Sequence, residues 1–232
     1  MNKTVHLFYG LRDNNNKIPK GIVKNYQKNL DLNTDFRLEK WNGSRCYEFV
    51  KSHFPDYVNI YNDMCDYRYK CDLVRLMVLC IHGGLYMDID CECLCSVDKM
   101  SINDDTELCV VFNANGTEIF NSLIYVKNTE NEFIRQCIIA YVNVLSNKNI
   151  GACPVMKTVF AHMYPNYGIG INDETITVHQ EQNEKDLKDC QNREEFWNSF
   201  YIYNAKKEKM IKSRYDAYYD DRKNPRDVTD FA

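Results

Sequence analysis

The sequence predicts an α/β domain with a largely parallel sheet and helices on its faces. Short runs rich in β-branched and aromatic residues alternate along the chain with longer amphipathic runs. A length of 232 residues, 44% of them hydrophobic, is enough for one substantial core. We therefore predict a single domain over residues 1–221, followed by a charged tail over residues 222–232.

The first part of the chain is predicted as two strand–helix pairs. Residues 4–9 and 36–41 have the composition of strands, and residues 18–30 and 45–54 have helical spacing. The clearest helix is predicted over residues 66–82, which Gly83-Gly84 would end. Later elements are predicted as strands over residues 85–94, 107–113, 122–127 and 175–179, and as helices over residues 132–145 and from about 194 to 221.

Composition excludes some classes of protein. A net charge of −4, with lysine and arginine dispersed along the chain, gives no general attraction for nucleic acid. No run approaches the roughly 20 apolar residues that a transmembrane helix needs, and the first residues lack the apolar region of a signal peptide. Eleven cysteines without an export signal predict reduced thiols and a cytoplasmic location.

Two charged residues interrupt the apolar helix predicted over residues 66–82. Asp72 and Arg75 lie three positions apart and therefore on one side of this helix. Charges on a buried helix need partners or a ligand, because burial of an unpaired charge is costly. The residues alone leave two interpretations open, an internal ion pair and a binding site.

The strand predicted over residues 85–94 carries an acidic face. Because side chains alternate along a strand, Tyr86, Asp88, Asp90 and Glu92 are predicted to point to one side. Neighbouring carboxylates repel each other unless a cation meets them. Mg²⁺ or Mn²⁺ takes oxygen ligands and is commonly held by one or two carboxylates together with substrate phosphates. The face therefore predicts a divalent-metal site.

The opposite face of the same predicted strand carries thiols. A zinc or iron–sulfur site needs ligands that converge from several directions. Thiols in a row on one strand face do not converge, so we interpret them as core side chains. The residues predicted on this face are Met87, Ile89, Cys91, Cys93 and Cys95.

The stretch CDLVRLMVLCIHGGLYMDIDCE resembles the family-32 glycosyltransferases, a group that contains a DxD motif, and a related pattern occurs in the large clostridial glucosylating toxins. The family pattern is S-D-L-x-R, an apolar helix, then G-G-x-Y-x-D-x-D. Cys71 stands where serine or alanine is common. The residues that match in order and spacing are Asp72, Arg75, Gly83, Gly84, Tyr86, Asp88 and Asp90.

The resemblance implies a GT-A fold, which is a Rossmann-like, mostly parallel sheet flanked by helices, here with a helical C-terminal segment. It implies that Asp90 binds the metal directly and that Asp88 contacts the ribose and the metal through water. Asp72 and Arg75 would hold the hydroxyls and diphosphate of the donor sugar nucleotide. Further donor contacts would come from Tyr86, Gly84 and Asn121.

The activity that the resemblance implies is sugar transfer from a nucleotide sugar to a glycan or protein hydroxyl. Mn²⁺ or Mg²⁺ would serve as cofactor, the anomeric configuration would be retained, and a UDP-sugar is preferred over a GDP-sugar. His179 is the first candidate for a further metal ligand. Its alternatives are Asp216, Asp220 and Asp221.

Two other functions remain open from the sequence. A D-x-D motif also begins the site of metal-dependent phosphohydrolases of the haloacid-dehalogenase type, although Glu92 stands where those enzymes have threonine or valine. A non-catalytic protein of the same fold, which binds a sugar or nucleotide, is the third interpretation.

Overall fold

The computed structural model describes residues 1–9, 17–145, 151–169, 171, 173–191, 195–196, 199–204, 206–213 and 228–230. Within these residues the chain forms a large mixed sheet with helices packed on it. The α/β class is therefore confirmed. No helix of the described part has the length and apolar character needed to cross a bilayer.

Most of the predicted helices are present, with bounds close to those predicted. The clearest predicted helix is present as α4, the predicted helix over residues 132–145 is α5, and α3 and α6 were not predicted. The helices are α1 (Lys20–Asp31), α2 (Gly43–His53), α3 (Val58–Asp63), α4 (Tyr67–His82), α5 (Glu132–Leu145) and α6 (Ala152–Met163).

The strands follow the prediction in the first half and depart from it near the acidic motif and at the C-terminal end. The strands are β1 (Thr4–Phe8), β2 (Lys17–Pro19), β3 (Arg37–Trp41), β4 (Gly84–Met87), β5 (Cys91–Cys93), β6 (Leu108–Phe112), β7 (Ile119–Val126), β8 (Ile176–Asn183), β9 (Phe200–Tyr203), β10 (Lys209–Ser213) and β11 (Val228–Asp230).

The sheet is mixed, and not largely parallel as predicted. Its order in the described residues is β3-β1-β4-β7-β6-β8-β9-β10-β5. The pairs β1–β3, β1–β4 and β6–β8 are parallel, whereas the pairs from β4 to β7 to β6 and from β8 through β9 and β10 to β5 are antiparallel. The prediction failed because several connections are hairpins rather than helical crossovers.

The predicted helix over residues 194–221 is wrong in its described part. Residues 200–203 and 209–213 form the antiparallel strands β9 and β10. Alternation leaves Ile202 of β9 buried. In β10 the adjacent residues Met210 and Ile211 are both buried, beside a register irregularity between Lys209 and Ile211, so no simple strand pattern was visible in the sequence. Within the predicted tail, Val228–Asp230 pairs with Lys17–Pro19 as a two-stranded sheet.

Two apolar cores lie on the two faces of the large sheet. One contains α4, α5 and α6 against the face of β4, β6 and β7 that carries Tyr86 and Val110. The other contains α1 residues, Met87, Cys91 and Cys93. Both faces of the central strands are therefore buried. Polar side chains that contact a ligand are expected where these strands end.

Candidate active site

The turn between α4 and β4 requires two glycines. Gly83 has a φ angle of 61° and donates its backbone N–H to Leu79 O at 2.9 Å, which ends α4. Gly84 has a φ angle of 90°, and a Cβ atom there would lie 2.6 Å from Thr4 O. This close approach lets β4 pair with β1 immediately after the helix.

The acidic motif lies in a turn, and the prediction of one strand over residues 85–94 is wrong. Asp88 donates its N–H to Ser122 O at 2.8 Å, and Cys91 donates its N–H to Asp88 O at 3.0 Å. The chain reverses there, and β5 pairs with β10 at the far end of the sheet. The turn presents Asp88 and Asp90 at the carboxyl end of β4.

Arg75 is the centre of the candidate site. Its side chain is 7% exposed, and its Nη1 donates to Asn121 O at 2.7 Å and to Asp88 Oδ1 at 3.3 Å. Its Nη2 lies 3.2 Å from Asp72 Oδ1, and the guanidinium stands 4.4 Å from the centre of the Tyr86 ring. Burial lowers the pKa of Arg75, but Tyr86, Cys71, Asp88 and Asp72 around it favour the charged form and together hold that pKa above its ordinary value.

Asp72 joins α4 to two other elements. Its Oδ1 accepts from Asn121 Nδ2 at 2.8 Å, and its Oδ2 accepts from the backbone N–H of Ala152 at 3.3 Å. Ala152 is the first residue of α6, so the carboxylate meets the positive end of that helix. Asp72 is 14% exposed in its side chain, which leaves one edge open to a ligand.

Asp88 is the most open carboxylate bound to Arg75, with 32% of its side chain exposed. The hydroxyl of Tyr86 donates to the same Oδ1 that meets Arg75. Burial raises the pKa of the Asp88 carboxyl, while Arg75 and the Tyr86 hydroxyl oppose that rise. Oδ1 of Asp88 thus accepts hydrogen bonds from the protein, whereas Oδ2 accepts none among the described hydrogen bonds.

The structure brings together Asp72, Arg75, Tyr86, Asp88 and Asn121, as the sequence predicted. Asp90 lies in the same turn, 9% exposed. Arg75 differs from the expectation in its role: it is buried beneath the carboxylates, because its donors are used by Asn121 O, Asp72, Asp88 and Cys71. In this structure its side chain connects Asp72, Asp88 and Asn121, and its contact with a donor diphosphate stays a prediction.

Two predicted site residues lie elsewhere. Gly84 begins β4, at the opposite end of the strand from Asp88, because it serves the turn after α4. His179 lies opposite Val111 in the β8–β6 register, 3% exposed, with Nε2 2.8 Å from Met100 O. The side chain of His179 lies on the face of the sheet opposite the one that carries Tyr86, so His179 is not a metal ligand of this site. Burial lowers the pKa of His179.

The remaining acidic candidates are distributed differently. Asp216, Asp220 and Asp221 lie outside the described residues. Glu92, predicted on the acidic face, instead forms an ion pair with Lys28 of α1. The turn at residues 88–90 breaks the alternation on which that prediction rested.

The cysteines after the motif are core residues, as predicted. Cys91 is 2% exposed and Cys93 is 0% exposed, and Cys93 Sγ lies 3.7 Å from Met87 Sδ. Burial raises the pKa of Cys93 to about 12, so its thiol stays protonated at neutral pH. Among the described residues no group of three His, Cys, Asp or Glu side chains is placed to hold a metal.

A divalent cation nevertheless fits the donor set. Asp88 and Asp90 offer hard carboxylate oxygens from one turn, and Asp88 is partly open to solvent. Mg²⁺-type sites commonly use one or two carboxylates and take their other ligands from phosphate and water. Asp88 and Asp90 therefore match in number and kind the carboxylates that such a site commonly takes from a protein.

Sequence reasoning missed two sets of groups near the site. The backbone N–H of Ala152, at the N-terminus of α6, donates to Asp72, and α6 itself was not predicted. Asn25 and Asn29 of α1 bond the backbone on either side of Asp90. Their spacing of four residues was a sequence signal for one shared helix face.

The turn with Asp88 and Asp90 and the residues around it resemble those of DxD-containing glycosyltransferases, and comparison with known proteins supports this resemblance over part of the chain. Residues 19–108 match the family described as "Glycosyltransferase sugar-binding region containing DXD motif". The structure shares its fold with the PaToxG glycosyltransferase, with a TM-score of 0.54 and 19% identity over 71% of this chain and 70% of that one. The predicted resemblance and the GT-A fold are thus confirmed.

Curated relatives match over part of the chain. An uncharacterized glycosyltransferase of Acanthamoeba polyphaga mimivirus is 36% identical over 77 residues, which is 33% of this chain and 31% of the relative. A mannosyl phosphorylinositol ceramide synthase of Saccharomyces cerevisiae is 30% identical over 101 residues, which is 42% of this chain and 25% of the relative. The chain thus spans less than a third of either relative's length.

Proposed function

We propose that the chain is a metal-dependent glycosyltransferase that moves a sugar from a nucleotide sugar to a hydroxyl group. One observation carries the proposal: Arg75 holds Asp72, Asp88 and Asn121 together at the carboxyl end of β4. Ligands of open α/β sheets bind at that end of the strands. The family match, which includes Asp72, Arg75 and Asp88, supports the assignment.

The side chains suggest separate roles in this reaction. Asp72 and Asn121 face each other with one polar edge open, which suits the hydroxyls of the transferred sugar. Asp88 and Asp90 would hold Mn²⁺ or Mg²⁺, which neutralises charge on the departing diphosphate when bound. Arg75 keeps Asp72 and Asp88 in place and balances their charge.

Retention of the anomeric configuration is part of the proposal. The described hydrogen-bond network leaves Asp72 engaged by three donors, from Arg75, Asn121 and Ala152. A carboxylate so occupied is a poor nucleophile. We therefore favour a same-face transfer in which a phosphate oxygen of the leaving group takes the proton of the acceptor hydroxyl.

A UDP-sugar is the first donor to test, as the sequence suggested, and a mannosyl donor is the second. Two relatives have mannosyl transfer in their names, the yeast synthase and an inositol phosphoceramide mannosyltransferase of Schizosaccharomyces pombe that is 27% identical over 85 residues. The same names add a lipid-linked hydroxyl to the glycan and protein acceptors.

Free thiols at all eleven cysteines support a cytoplasmic location.

The test is a panel of UDP- and GDP-sugars with the purified chain and Mn²⁺, read as nucleotide release and as ligand-induced thermal stabilisation. One preferred donor is expected. An Asp88→Asn/Asp90→Asn double variant should lose both signals, whereas Asp63→Asn, an exposed aspartate at the end of α3, should keep them. Equal activity in the double variant contradicts the proposal, and release of phosphate from simple monoesters favours a phosphohydrolase.

A further inference from the structure

Strand β5 follows the acidic motif directly and lies at the end of the sheet order. Strand β10 pairs with one of its edges. Helix α1 covers the other edge with two asparagines spaced four residues apart, Asn25 and Asn29, and Asn33 follows two residues beyond the end of the helix. The spacing within α1 places Asn25 and Asn29 on one face of the helix.

The asparagine amides supply the hydrogen bonds that a neighbouring strand would supply. Asn29 Nδ2 donates to Cys91 O at 2.7 Å, and Asn29 Oδ1 accepts from Cys93 N at 2.8 Å. Asn33 Oδ1 accepts from Val97 N at 2.7 Å. Asn29 and Asn33 are each 6% exposed, so water does not compete for these bonds.

Asn25 extends the same contact to the acidic motif itself. Its Nδ2 donates to Cys91 O at 2.9 Å and lies 3.5 Å from Ile89 O. These two carbonyls flank Asp90 in sequence. On the sheet side, the motif is tied by the bond from Asp88 N to Ser122 O. The backbone around Asp90 is therefore held between β7 and α1.

We propose that Asn29, assisted by Asn25, is a positioning residue that fixes where the Asp90 carboxylate meets the metal. The inference rests on the proposed function, in which Asp90 is a metal ligand. Asn29 touches neither substrate nor metal and acts through the peptide units beside Asp90. Partners that orient a metal ligand typically change metal affinity by about 10–100-fold when they are removed.

Asn33 offers a matched control. It lies two residues beyond the end of α1, has the same exposure as Asn29, and makes two side-chain hydrogen bonds, with Val97 N and Asn29 O. Val97 is seven residues beyond Asp90 and lies outside β5. Asn33→Ala should therefore lower the melting temperature about as much as Asn29→Ala without moving the carboxylate.

The experiment titrates Mn²⁺ into the full chain with saturating UDP and measures free Mn²⁺ by electron paramagnetic resonance. Asn29→Ala should raise the dissociation constant of Mn²⁺ about tenfold, and Asn33→Ala should change it less than twofold. An equal rise in both variants, or no rise in a folded Asn29→Ala, overturns the inference. If Asn29→Ala fails to fold, Asn25→Ala replaces it, with a rise of a few-fold expected and no rise overturning the inference.

Failure of the proposed function gives a different result. A wild-type chain that binds no Mn²⁺ with UDP refutes metal-dependent transfer and the positioning role together. A wild-type chain that binds Mn²⁺ with UDP, while both asparagine variants bind it equally well, refutes the positioning role alone.

Discussion

Replacement of Arg75 by methionine removes the one cation that the described site residues share. The side chain is 7% exposed and contacts Asp72 Oδ1 at 3.2 Å, Asp88 Oδ1 at 3.3 Å and Asn121 O at 2.7 Å. Loss of one partner from a buried ion pair typically costs about 3–5 kcal/mol. We expect the lower end, about 3 kcal/mol, because Asp88 is 32% exposed and water can reach it.

The reasoning also predicts a rescue. If the loss comes from uncompensated carboxylates, neutralising them should restore stability. The Arg75→Met/Asp72→Asn/Asp88→Asn triple variant should recover at least half of the lost free energy of unfolding while remaining inactive. The assay is urea unfolding followed by circular dichroism at neutral pH, beside donor binding at the same protein concentration.

Arg68→Met is the control, since Arg68 lies on the same helix but is 71% exposed and pairs with Asp66 at the surface. It should leave stability nearly unchanged. Two results would refute the account of Arg75: a loss below about 1 kcal/mol in Arg75→Met, or a triple variant less stable than the single one. Either result would mean that the Arg75 guanidinium is not what stabilises the buried carboxylates of Asp72 and Asp88 in the folded state.

Three further substitutions or conditions have defined outcomes. His6 is buried and accepts from Trp41 Nε1 at 3.2 Å, and burial lowers its pKa from 6.5 to about 4. The unfolded chain therefore binds the proton first, and stability should fall by about 3 kcal/mol as the pH drops from 6.5 to 4. This loss should be absent in His6→Gln. Gly84→Ala should cost at least about 2 kcal/mol in urea unfolding, because its φ of 90° and the nearby Thr4 O exclude a Cβ atom. Tyr141→Phe should raise the unfolding free energy by about 1 kcal/mol, because the buried Tyr141 hydroxyl has no hydrogen-bond partner among the described residues; a loss would show that the hydroxyl is satisfied.

Much of the site was predictable because its residues are close in sequence and lie on regular elements. Helical spacing placed Asp72 and Arg75 on one side of α4, and the two glycines marked where the helix ends. The acidic pair then follows directly after the short strand β4. Local periodicity is sufficient for contacts of this range.

Other features depend on distant parts of the chain, and local periodicity does not report them. The turn at residues 88–90 arises because β5 pairs with β10, more than a hundred residues later. That pairing broke the predicted acidic face and removed Glu92 from it. His179 was predicted to end a strand, but β8 continues to Asn183, and the side chain of His179 lies on the face of the sheet opposite the site.

Crystals of the chain grown with Mn²⁺ and UDP provide the most direct test of the central claim. The account predicts the diphosphate at the carboxyl end of β4, with one Mn²⁺ between a phosphate oxygen and Asp90 and with Arg75 still bonded to Asp72 and Asp88. A nucleotide bound elsewhere, or a diphosphate at this site with no cation near Asp88 and Asp90, would contradict it.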